Sequence, residues 1–402
     1  VDLLRTTRCC SALALSLITV VALDAGQLPS APTISSPARS DKAAEAPLSP
    51  FPSRTHWTLA LNSVLTAPPA FQASAGYFSI EGDRIAAYEL NHGTLRWVAS
   101  VRTQSRPVVG GDLLFVEQAG TLVALRTLDG STAWQQPLLS KLTSPLAWRD
   151  NLLIAGAEMA VLAFSVTDGQ LVWRHELASV VEAEPALSND RVYVPTKDGR
   201  VIALRLRDGT VAWERRLGGA AHDPLVAGDR VLVGSSDNYL YSLDARDGER
   251  EWRWQTGADV VARPLADEHR VYFVSLDNVL RALNLRNGVQ QWKRGLAFRP
   301  AWGPIRAADT LVLTGIEGTP RAFYLKDGAP AGEMRTDSGA EIAAPPHAFE
   351  SAGALGPALV IVSRRLESGA TVTVVSRSIE PTVFPTLLPL PGLEPAVAPV
   401  AR

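Results

Sequence analysis

Few residues of this chain could do chemistry, and their spacing argues against most of it. His222-Asp223 has the composition of a general-base dyad. Neighbours in an extended segment point to opposite sides, so the two are expected in a loop with no shared role. Asp237-Asn238 and Asp277-Asn278 offer the hard oxygen donors that calcium takes. They stand one repeat apart, at equivalent positions, and read first as turn residues. The six histidines, His56, His92, His175, His222, His269 and His347, show no metal-ligand spacing. Both cysteines, Cys9 and Cys10, fall within the first ten residues, which leaves neither a zinc site nor a thiol nucleophile for the folded body. There is no Gly-x-Ser-x-Gly elbow, no phosphate-cradling glycine loop and no His-Glu-x-x-His. No catalytic and no metal-binding residue is assigned.

What is ordered in this sequence is its tryptophans. Six follow a turn glycine by four residues: Gly93/Trp97, Gly130/Trp134, Gly169/Trp173, Gly209/Trp213, Gly248/Trp252 and Gly288/Trp292. A seventh glycine, Gly328, keeps the register, with Gly332 at the tryptophan position. The residue before each glycine is a turn former, from His92 and Asp129 to Asp327. Six before it stands a small side chain (Ala87, Ala124, Ala163, Ala203, Ser242, Ala282, Ala322), followed by a bulky apolar one. An Asp-Gly or Asn-Gly pair supplies the positive φ of a hairpin turn, so each unit reads as strand, tight turn, strand. A proline recurs beyond each tryptophan (Pro107, Pro145, Pro185, Pro224, Pro264, Pro304) and opens the next unit's first strand. Four short antiparallel strands in about 40 residues is the period of a propeller blade.

The blade count follows from the ends. Trp57 lies one period before Trp97 but has no first three strands ahead of it. Residues 358–363 and 371–376 form a hairpin with no tryptophan strand after it. The two fragments complement each other, so the expectation is all-β: an eight-bladed propeller of four-stranded antiparallel blades, its ring closed by the N-terminal strand.

Composition sets the outer limits. The chain has 402 residues, 46% apolar and 20% charged, enough for a packed core. Lysine plus arginine number 39 against 41 acidic residues, which speaks against a nucleic-acid partner. Arg5 and Arg8 precede an apolar run over 9–23, the layout of an export signal. Residues 1–25 are therefore expected to be a signal peptide or an uncleaved N-terminal anchor, and the protein is expected to meet a membrane only through this segment, if it is uncleaved. Neither cysteine follows the apolar run, as a lipoprotein signal would require. Residues 26–54, rich in Pro, Ser and Ala, read as a linker, 55–380 as the propeller, and the proline-rich 381–402 as a disordered tail.

The run small–bulky–x–x–x–Asp–Gly–x–x–x–Trp, best kept at 124–134, 203–213 and 242–252, resembles the tryptophan-docking repeat of the pyrroloquinoline quinone (PQQ) propeller superfamily. The resemblance covers residues 55 to about 378. That family favours an acidic or amide residue four before the glycine; Glu89, Asp244 and Asn284 fit, whereas Arg126, Ser165, Arg205 and Tyr324 depart. The resemblance implies an architectural role for Trp57, Trp97, Trp134, Trp173, Trp213, Trp252 and Trp292, each packing against a neighbouring turn. It offers two functional classes. One is the quinone-dependent dehydrogenases, with PQQ and calcium in the funnel. The other is a non-enzymatic scaffold, most similar to the propeller of the outer-membrane β-barrel assembly machinery. The minimal strand spacing and the missing ligand set favour the second, so neither PQQ nor calcium is expected.

What remains is surface. The loops entering each first strand carry Arg106, Glu182, Glu184, Asp223, Arg263 and Trp302, and the middle hairpins share their face. These six are the expected partner-binding rim, with Trp148 and Trp302 as aromatic anchors off the repeat register. The expected protein is a monomeric, exported scaffold of the periplasm or cell envelope, binding envelope proteins or peptide segments. A quinone-dependent oxidoreductase and a funnel that binds a small ligand or carbohydrate are the alternatives.

Overall fold

A computed structural model describes residues 47–315, 317–334, 340–351, 356–365 and 369–378. The expected signal segment, most of the linker and the tail lie outside the described residues. From Pro47 onward the described elements are strands joined by turns, with no helix among them.

Eight antiparallel sheets make a ring of eight blades. In blade 1 the strands Ala70–Gln72, Ala75–Ile80, Arg84–Glu89 and Thr94–Ala99 pair in sequence order, and blades 2 to 7 repeat the pattern. The first strands are short, and those of blades 1 to 5, and of blades 7 and 8, touch their neighbours, which sets them around the axis. Blade 8 joins the two chain ends. Ser53–Ala60 pairs with Gly369–Arg377, which pairs with Ala358–Arg365, and the innermost strand is split into Glu341–Ile342 and His347–Phe349. The core is divided among the seams: one cluster, for example, takes Tyr77, Ile85 and Trp97 from blade 1 and Leu114, Val116 and Val123 from blade 2.

The repeat positions explain one another. Each small residue pairs directly across from its tryptophan, as Ala203 with Trp213 and Ser242 with Trp252, and the ladder bulges at the next, bulky position. In blade 8 the residue opposite Trp57 is instead Val374. The indole in turn crosses the seam. Its N–H donates to the carbonyl three residues before the next blade's turn glycine, in all seven cases from Trp57 to Leu90 through Trp292 to Leu325, at 2.7–3.1 Å. The receiving glycines are Gly93, Gly130, Gly169, Gly209, Gly248, Gly288 and Gly328, all at φ between +67° and +74°, and a Cβ on any of them would strike the indole. Glycine is thus required twice, by conformation and by contact.

One boundary differs from expectation. Composition marks a linker over 26–54, yet Ser49, Pro50 and Phe51 are buried, and the first strand starts at Ser53. Composition marks a Pro/Ser stretch as unable to form a core of its own; it does not register one aromatic that fills a gap in an existing core.

Candidate interaction face at the axial mouth

The loops that enter the first strands converge at one end of the ring axis, each tightened by its proline. Arg106 (blade 2) and Arg263 (blade 6) come from opposite sides, and Glu184 (blade 4) reaches both. Its carboxylate lies 3.0 Å from the Arg106 guanidinium and 3.7 Å from that of Arg263. The Glu184 backbone N–H donates to Asp223 Oδ1 of blade 5 at 2.9 Å. Gly303 lets the backbone of the next entering loop press against the Arg263 carbonyl, where a Cβ would clash.

The six rim candidates therefore divide. Arg106, Glu184, Asp223 and Arg263 are brought together as one cross-ring cluster. The Glu184 side chain is only 17% exposed, whereas its two arginine partners are 42% and 43% exposed. Two guanidinium groups share one carboxylate, so each arginine keeps N–H donors that Glu184 does not engage. Glu182 stands apart on its entering loop, paired at 2.9 Å with Lys197 of an exposed hairpin. Trp302 is half-buried and packs on the core between blades 7 and 8. Trp148 is not on this face: it lies on a first strand, at the strand–turn end, with its ring against Gly110.

The hairpin carboxylates Asp237 and Asp277 are engaged by their own hairpins and by the neighbouring entering loops. Asp237 accepts from the Gly218 N–H at 3.0 Å and from the Tyr241 hydroxyl. Asp277 accepts from the Gly257 N–H at 3.0 Å and pairs with Arg281 at 2.6 Å; despite its burial, these partners hold its pKa down at about 2. Among the described residues no group of three or more His, Cys, Asp or Glu is placed to hold a metal ion. His222 Nε2 shares a hydrogen bond of 2.8 Å with Ser236 Oγ, and burial lowers the His222 pKa against the opposing charge of Asp223.

Beside the mouth a cavity of about 280 Å³ is lined by Pro69, Phe71, Arg106, Val108, Val109 and His347, among others. The His347 ring stacks on Phe71 at 4.5 Å, and burial lowers its pKa to about 4, so it is neutral at physiological pH. The one charged group in the lining, Arg106, is already paired with Glu184. Calcium needs several oxygen ligands, and the lining supplies no carboxylate, so these residues do not fit a calcium-bound quinone.

A family model described as outer membrane protein assembly factor BamB matches residues 39–153, 157–261 and 220–363. The chain belongs to the BamB family. Curated relatives bearing that name include those of Yersinia pestis, 26% identical over 168 residues, and Marinobacter adhaerens, 30% identical over 129 residues. The first alignment takes in 36% of this chain and 43% of the relative, the second 31% and 33%, so each match spans less than half of the BamB it meets. Among solved structures, BamB from Moraxella catarrhalis superposes with a TM-score of 0.64 at 17% identity, covering 81% of this chain and 99% of that one. A europium-containing methanol dehydrogenase gives the same TM-score at 10% identity over 81% of this chain and 93% of its own. The structural likeness is one of fold, and it spans an assembly factor and an enzyme alike.

Sequence reasoning missed a second aromatic in four blades. Tyr77, Phe115, Tyr193 and Tyr272 face Trp97, Trp134, Trp213 and Trp292 at 5.7–5.9 Å and near 40°. Their signal was present, an aromatic 19 or 20 residues before the tryptophan. Tyr193 OH and Trp213 Nε1 donate to the same Ala245 carbonyl.

Proposed function

We propose that the protein is an exported, non-enzymatic scaffold of the cell envelope that takes part in outer-membrane protein assembly by binding protein or peptide segments. The observation that carries this reading is the BamB family match over residues 39–363. The mouth face supports it. Its charge cluster is internally paired around Glu184, while Lys197, Glu182 and the apolar Leu139 and Met159 are left exposed on surrounding loops. Charges of both signs beside exposed apolar side chains suit a polypeptide partner better than a small substrate. Neither PQQ nor calcium belongs to the proposed activity, since the carboxylates near the axis are bound to arginines and backbone N–H groups.

Affinity capture from envelope extract tests the proposal. The expected result is recovery of a defined envelope protein, reduced when Glu182 and Lys197 are both reversed in charge. Stoichiometric quinone binding with calcium-dependent dye reduction, and no protein captured, would overturn it.

A further inference from the structure

Seven seams of the ring are closed by a tryptophan laid on a turn glycine; the eighth cannot be. The third and fourth strands of blade 8 come from opposite ends of the chain, so no turn joins them and no docking glycine exists there. Blade 7 correspondingly has Gly332 where the others have tryptophan. Phe51 fills that place. It is 3% exposed, and a Cβ on Gly332 would come within 2.7 Å of the Phe51 Cβ. Its cluster takes Ala322 and Ala331 from blade 7 and Ile342, Leu359 and Val375 from blade 8.

The residues before Phe51 are held as firmly. Ser49 Oγ donates to the Ala331 carbonyl at 2.6 Å and accepts from the Phe51 N–H at 3.1 Å. Leu48 N–H donates to Asp309 Oδ2 at 2.8 Å, and the Asp309 N–H donates back to the Leu48 carbonyl at 3.2 Å. Ser378 N–H donates to the Pro52 carbonyl at 2.8 Å. Asp309 sits in the turn between the first and second strands of blade 7, so this arm joins the propeller on the face opposite the axial mouth.

We propose that residues 48–52 are a docking arm that locks the ring. The glycine and the aromatic have changed places across the cut seam: the arm delivers the eighth aromatic into a slot that Gly332 keeps open, and displacing the arm opens the seam between blades 7 and 8. The inference rests on packing alone and is independent of the assembly role.

Hydrogen exchange on the full chain tests it with Phe51→Ala, Phe51→Leu and Ser49→Ala. Phe51→Ala is expected to raise the opening of strands 53–60, 330–333 and 369–377 by about a hundredfold, the change that ~3 kcal/mol of lost core packing converts to. Blades 3 to 5 should stay protected. Phe51→Leu and Ser49→Ala should give smaller increases in the same three strands, and they carry the test if the alanine variant does not fold. Exchange unchanged in these strands, or raised equally around the ring, would overturn the proposal.

Discussion

Glu184 serves two arginines at once, so its replacement by lysine sets three cations against one another at the axis. Loss of a partner costs little at an exposed pair and several kcal/mol at a buried one. For a carboxylate this covered, Glu184→Lys should lower stability by about 1–3 kcal/mol, whereas Glu182→Lys, exposed on the same entering loop, should change it by about 0.5 kcal/mol or less. Urea midpoints of the two variants check the difference. Treating Glu184 as a freely displayed rim charge, as its position before Pro185 invites, overlooks arginines 78 and 79 residues away. A second residue-scale effect concerns acid. His347 is lowered by burial from 6.5 to about 4, so the unfolded chain binds a proton there that the folded one does not. Its contribution is complete above about pH 6.5 and is lost as pH falls toward 4, amounting to about 3 kcal/mol at most. Burial lowers His56 and His222 in the same direction. Stability should therefore decline across that window, and His347→Phe, which keeps a ring on Phe71, should flatten the decline in a pH series of urea midpoints.

At the scale of the element, each tryptophan joins two blades. Trp213→Ala should cost about 3–5 kcal/mol, because it empties a packed seam and takes one donor from Ala245. Calorimetry on the purified variant measures it. A chain that starts at Pro47 should melt like the full chain, whereas one that starts at Ser53, lacking Phe51, should melt well below it. These elements were legible because each depends on residues close in sequence: Asp208-Gly209 makes the turn, and Ala203 pairs across from Trp213. The eighth blade was legible from its fragments, since Trp57 keeps the period. The Phe51 arm was not, because its slot is defined by an absent side chain at Gly332, more than 280 residues away. The axial cluster was half legible: the repeat places Arg106, Glu184, Asp223 and Arg263 on one rim, but which charges meet across it depends on the ring's diameter, which no local pattern encodes.

The whole propeller is a closed ring with a mouth face and a turn face, of which the mouth face is proposed to meet the partner. Photoreactive side chains placed singly in the living cell test this most directly. Mouth-face positions Met159, Glu182 and Lys197 are compared with turn-face positions Leu128 and Arg207, all of them exposed. The account predicts crosslinks from the first three to one component of the outer-membrane assembly apparatus, and none from the other two. Crosslinks confined to Leu128 and Arg207, or no polypeptide captured from any of the five, would contradict it.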